Sequence, residues 1–162
     1  MSLSIEELAE DKGLPPDFLK GLGVREYDDS VLIPYFDEEG NQADRHRIRT
    51  DLEDGFRWTS GSKEPILYGL KYLDHAREEG YCVFVEGETD CWSCWYSSIP
   101  ALGFPGANTY DKLQEQHLEG VETLLVHREP DQGGNEFVQG VKERLVDLEW
   151  TGYVSTFTAK EL

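Results

Sequence analysis

The stretch VFVEGETD, residues 83–90, decides how this chain is read. Val83, Phe84 and Val85 form an apolar run of β type. It passes without a break into three carboxylates, Glu86, Glu88 and Asp90, with Gly87 among them. A buried strand that ends in mutually repelling acids needs a reason. Open α/β sheets provide one, because they bind ligands outside the carboxyl ends of their strands.

Downstream, the pattern alternates. Residues 81–86 read as a strand, Asp90 to Ser97 as a helix, and 99–104 as a short strand leading into PGAN. Thr109 to Leu118 reads as a helix, 121–129 as a strand, Asn135 to Leu148 as a helix and 152–157 as a last strand. Such alternation implies an α/β fold, a mostly parallel sheet flanked by helices. A second acidic segment, REPDQGG (128–134), follows the strand 121–129, so Glu129 and Asp131 are expected beside Glu86. At 4 Å and an effective dielectric near 20, each ionised pair costs about 4 kcal/mol. A cation or proton uptake must offset that repulsion. Oxygen donors favour Mg²⁺ or Mn²⁺ over zinc, and a hard ion held by carboxylates most often serves phosphoryl chemistry. A carboxylate left off the metal can act as general acid or base. The competing reading is ordinary exposed loop acids, since the chain holds 33 Asp and Glu. Gly87 and the pair Gly133-Gly134 favour a site, by letting backbone approach a ligand closely.

Upstream, residues 1–80 read as a small α+β lobe and 81–162 as the α/β domain. Helices are expected over 4–11 and 15–21, with Ser4 and Glu7 in capping-box spacing. SVLIPYF (30–36), the turn DEEGNQ and ADRHRIRT (43–50) suggest a hairpin, and FRW (56–58) a third strand. Residues 66–80 carry apolar side chains at helical spacing, and Gly80 is a suitable stop.

The 162 residues suffice for one sizeable domain or two small lobes. The formal charge of −18 argues against a general nucleic-acid coat, so any such contact needs a local basic patch or metal ions. No apolar run approaches the roughly 20 residues of a membrane span, and MSLSIEELAEDKG lacks signal-peptide character. A cytoplasmic setting is expected. Three cysteines fit a reducing compartment. Cys91 and Cys94 form a CxxC, but the apolar stretch CWSCWYSSI reads as a buried helix face that also takes up Trp92, Trp95 and Tyr96. Trp58, beside Arg57, is the one candidate for base stacking. His46 and His127 have no partner motif, and His127 reads as a strand residue. A P-loop and zinc-finger spacings are absent from the sequence.

EGETD after an apolar strand, followed by a strand ending in EPDQGG, resembles the Toprim domain of bacterial-type primases, topoisomerases and some nucleases. Glu86 matches its first glutamate. Glu129-Pro130-Asp131 matches its acidic-x-acidic motif, with glutamate where aspartate is commoner. IPYFDEEGNQADRHRIRT, FRWTSGSK and ILYGL resemble the segment that precedes Toprim in the primase core, and SIPALGFPGANTY is similar to primase-like proteins of phages and mobile elements. The likeness runs over roughly residues 5–157. It implies a Toprim-type sheet preceded by a small α+β lobe, and Mg²⁺-dependent (or Mn²⁺-dependent) nucleotidyl transfer that makes primers on single-stranded DNA from NTPs. It implies Glu86 as general acid/base, Glu129 and Asp131 as metal ligands, and Asp90 in support or as a helix cap. Arg47, Arg49, Arg57 and Lys63 would contact phosphates. Their alternative is a solvated face, since Asp44, Asp51, Glu53 and Asp54 interrupt them. A helicase domain or protein is an implied partner. A Toprim nuclease and a non-catalytic recruitment domain are the rival readings.

Overall fold

Ser4 starts the first helix as its spacing predicts. Its hydroxyl accepts a hydrogen bond from the Glu7 N–H at 3.1 Å, and the Glu7 carboxylate accepts one from the Ser4 N–H at 3.2 Å. The computed structural model describes residues 2–53, 56–106 and 109–158. Asp54, and Ala107 and Asn108 of the PGAN stretch, lie outside the described residues. The chain divides into two compact units, residues 1–66 and 67–162.

In the first unit, α1 (Ile5–Lys12) ends at Gly13 with φ 68°, and α2 (Pro16–Gly21) opens on a proline. An antiparallel sheet follows in the order β1 (Arg25–Tyr27), β2 (Ser30–Ile33), β3 (Arg47–Arg49), β4 (Phe56–Trp58). The sequence reading has no β1. All three of its residues are exposed, so no alternation marks it. It is held by pairing with β2 across the turn Asp28-Asp29. β2 stops at Ile33 because Pro34 brings no N–H to the ladder. β3 is shorter than expected because its lead-in spends hydrogen bonds elsewhere: the Tyr35 N–H donates to His46 Nδ1 at 2.9 Å, and the His46 N–H to Thr59 Oγ1 at 2.9 Å. Leu8, Leu19, Val31, Ile33, Tyr35 and Ile48 form the buried core.

The second unit is built on a fully parallel sheet, order β6-β5-β7-β8, with β5 (Tyr81–Val85), β6 (Ala101–Gly103), β7 (Thr123–His127) and β8 (Tyr153–Phe157). Residues 67–80, expected in the first lobe, belong to this unit. Within them Gly69, at φ 105°, precedes a 3₁₀ turn, and α3 (Leu73–Glu79) packs on β5 and β6. The helix expected over 109–118 is instead two 3₁₀ turns, Tyr110–Lys112 and Glu115–Leu118. Buried Leu113 and extended Gln114 separate them. The Arg144 guanidinium donates to the carbonyls of Leu113 (2.9 Å) and Asp111 (3.2 Å), so these acceptors leave the helical ladder. α4 (Glu88–Tyr96) follows β5, and α5 (Gln132–Asp147) follows β7. α5 buries Phe137, Val138, Val141 and Leu145, a helical stripe. Phe104 bridges it to the sheet, 5.7 Å from Phe137 and 4.9 Å from Phe84 between ring centroids. Among the described residues no helix is long and apolar enough to cross a membrane.

Candidate active site

β5 ends at Val85 and α4 begins at Glu88, so Glu86 occupies the link at the carboxyl end of the strand. The three acids of the opening stretch part company there. Glu88 is buried, with an electrostatic reach to Tyr68 and Cys91. Glu86 is half-buried, and Asp90 lies in the first turn of α4. Gly87 holds the cap position of that helix, and Asp90 stands two residues inside its start.

β7 ends at His127, and the acidic segment turns directly into α5. Asp131 is the cap of this helix: its Oδ1 accepts from the Gly134 N–H at 2.8 Å. Gly134 has no room for a side chain, because a Cβ would overlap the carbonyl oxygen of Glu129. The close approach that the glycines suggested is therefore one of backbone on backbone, and it fixes where Glu129 stands. Gly87 has an extended backbone and open space around it, and is not required in this way.

Electrostatics joins the two strand ends. Burial first, and then the charges of Glu129, Asp131 and Asp90, push the Glu86 carboxyl up to about 7. Burial, Glu86 and Glu136 likewise raise the Tyr110 phenol. Ligand atoms of Asp90, His127 and Glu129 all lie within 4.8 Å of one another. His127 Nδ1 stands 3.8 Å from Glu129 Oε1. The sequence reading passed over His127. Its one legible signal was its place as the last residue of a strand, two positions before an acid. A hard divalent cation fits this ground: the carboxylates repel one another, and Glu86 holds a proton far above the ordinary glutamate range.

The four basic residues do not share one face. Arg47 and Arg49 alternate with Ile48 on β3 and stand across from Trp58 and Phe56 of β4. The Arg47 guanidinium lies 4.9 Å from the Trp58 ring and 5.0 Å from that of Phe56. Arg49 lies 4.6 Å from Phe56, is 3% exposed, and donates to the carbonyls of Asp51 and Leu52. Its charge is thus spent inside the fold. Arg57 pairs with Ile48 and is exposed. Lys63 is exposed in a loop whose backbone N–H donates to Asp44 Oδ2 at 2.9 Å. Trp58 packs edge-on against Tyr35 at 5.0 Å, with Arg47 over its ring, which occupies the surface a base would need.

On α4, Trp92 is fully buried and donates to the Tyr68 hydroxyl at 2.8 Å. Trp95 is half-buried and donates to the Ala101 carbonyl at 3.2 Å. Tyr96, expected in the core, is 52% exposed because the helix ends there. Cys82 and Cys91 are buried, and Cys94 only partly so.

A parallel sheet of this order, with helices on its faces and acids at the carboxyl ends of two central strands, defines a primase-like Toprim fold. Solved structures of primase catalytic cores share it. The DnaG catalytic core superposes with a TM-score of 0.72 at 14% identity, over 94% of this chain and 63% of that one. The DnaG primase catalytic domain bound to single-stranded DNA gives 0.70 at 14% identity, over 95% and 63%. A DNA primase domain from Pseudomonas aeruginosa gives 0.62 at 19% identity, over 88% and 50%. The chain thus spans between half and just under two thirds of the length of these structures. No protein-family model and no curated protein matches it in sequence.

Proposed function

We propose that the chain is the catalytic core, or part of it, of a DNA primase-like protein, joining nucleotides on a single-stranded DNA template with Mg²⁺ or Mn²⁺. One observation carries this reading: Glu86, Asp90, Glu129 and Asp131 come together at the carboxyl ends of β5 and β7 in a fold shared with primase catalytic cores. Glu129, Asp90 and the free oxygen of Asp131 would hold the cation. When bound, the cation neutralises charge on the transferring phosphoryl group.

Glu86 takes the proton. A carboxyl poised near 7 can accept one from an attacking 3′-hydroxyl at neutral pH and release it afterwards. Asp131 links the site to α5 through its cap. Arg57 and Lys63, exposed on the first unit, are the proposed phosphate contacts of that unit. Priming from NTPs on single-stranded DNA tests the reading, with Glu86→Gln and Asp131→Asn as controls. Template-dependent products that vanish in Glu86→Gln support it. Shortening of the DNA with no product points to a Toprim nuclease. Inertness under both metals leaves a recruitment domain.

A further inference from the structure

The imidazole of His127 has no role in the function proposed above, yet it is a buried polar group at the site. It is 8% exposed, at the last position of β7, just ahead of the acids of the 128–134 turn. Phe157 of β8 covers it at 5.2 Å between ring centroids. Its ring makes no hydrogen bond among the described residues. The nearest polar approach is the 3.8 Å between Nδ1 and Glu129 Oε1, too long for one. The ring nitrogens keep some contact with solvent, and an imidazole beside two carboxylates offers a lone pair to a ligand. Ligand atoms of Asp90, His127 and Glu129 within 4.8 Å of one another meet the spacing for a common cation.

We infer that His127 is a nitrogen ligand of the divalent cation at this site, and that it makes the site selective for Mn²⁺ over Mg²⁺. The inference rests on the reading of the site as a cation centre. Mg²⁺ takes oxygen donors and keeps its waters. Imidazole suits transition-metal ions rather than Mg²⁺, and Mn²⁺ is the transition-metal ion that also favours carboxylate donors. The sheet fixes the ring, because β7 is paired on both sides and Phe157 limits rotation. Asp90 approaches from a different element, the first turn of α4, so the three donors converge on one point rather than lie along one strand. A purely structural histidine here would have no reason to face the acids.

The test is electron spin-echo spectroscopy of Mn²⁺ added to the full chain, with ¹⁵N-histidine labelling. A directly bound histidine nitrogen is expected, seen as ¹⁴N modulation that becomes ¹⁵N modulation on labelling. It should be lost in His127→Gln. Thermal shifts with Mn²⁺ and Mg²⁺ supply the second readout. His127→Gln should lower Mn²⁺ affinity by at least about tenfold and leave Mg²⁺ affinity nearly unchanged. The wild-type labelling measurement needs no variant, so it stands even if His127→Gln fails to fold. Bound Mn²⁺ without histidine modulation, or a Mn²⁺/Mg²⁺ ratio unchanged in a folded variant, overturns the inference. Failure of both metals to bind overturns it together with the cation centre. A chain that shows the modulation and makes no primer keeps the inference and loses the primase reading.

Discussion

At the scale of single residues, Glu86 and Asp131 carry opposite burdens. Glu86 titrates near 4.5 when solvated and about 7 in the fold. Between those pH values the folded chain keeps a proton that the unfolded chain has released. The Glu86 contribution to stability is therefore fully present below pH 4.5, falls as pH rises to 7, and levels off above. Glu86→Gln should remove this slope. Without divalent ions it should stabilise the protein at pH 8 by on the order of 1 kcal/mol, after discounting for partial exposure, and change little at pH 4.5. Thermal melts across that range decide it, and an unchanged slope would mean that Glu86 is not under charge pressure. Asp131 is both a helix cap and a proposed metal ligand. In chelator, Asp131→Ala should cost about 1 kcal/mol through the lost cap. Asn caps as well as Asp, so Asp131→Asn should fold as stably as wild type in chelator yet lose most of the melting-temperature gain that Mn²⁺ confers. At a hundredfold excess over its dissociation constant that gain is about 2.7 kcal/mol in wild type. Retention of the full gain in Asp131→Asn would reduce Asp131 to a cap.

At the scale of elements, the turn between β7 and α5 is where backbone geometry governs the site. Gly134→Ala should cost about 1–3 kcal/mol, since the new methyl group overlaps the Glu129 carbonyl and forces the turn to shift. The same change at Gly87, which has nothing within 4 Å, should be mild. Denaturant melts of the two variants compare them, and equal costs would mean that the turn gives way freely. α4 offers a chemical test. Cys82 and Cys91 should resist alkylation until the protein unfolds. Cys94, partly exposed with its thiol pushed up to about 11 by burial and Asp90, should react slowly at pH 8. Mass spectrometry of the native protein reads this directly. These elements also show what the sequence made legible. Strand–helix alternation and the capping box are local signals, and the parallel sheet, α1 and the pairing of Glu86 with Glu129 and Asp131 followed from them. The broken helix over 109–118 did not, because Arg144 reaches its carbonyls from 31 residues away. β1 was hidden because its pairing partner, not its own composition, makes it a strand. His127 was hidden because a strand-end histidine becomes a site residue only when α4 brings Asp90 to it.

At the scale of the whole molecule, a net charge of −18 must be reconciled with the nucleic-acid substrate proposed above. A long-range field of that sign repels phosphate, so contacts have to be local and the affinity modest. The arginines divide the labour. Arg47 and Arg49 face the aromatic rings of β4, and Arg49 is buried against backbone carbonyls, so both serve the first unit's sheet. Arg57 and Lys63 keep their charges at the surface. Binding of single-stranded DNA should therefore respond to Arg57→Ala and Lys63→Ala with a weaker affinity, and the log–log salt slope should drop by about 0.7 for each. Neither change should cost more than about 0.5 kcal/mol of stability, as expected at an exposed site. Arg49→Ala should do the reverse. It leaves two carbonyls without their donor and removes a cation from the Phe56 ring, at a cost of about 1–3 kcal/mol, while the salt slope of the folded variant stays close to that of wild type. Fluorescence anisotropy of a labelled single strand, titrated at several salt concentrations beside melts of each variant, separates the two roles. If the double variant of Arg57 and Lys63 keeps both affinity and slope, these two charges are only a solvated face. If Arg49→Ala lowers the slope without loss of stability, its guanidinium serves phosphate rather than the fold.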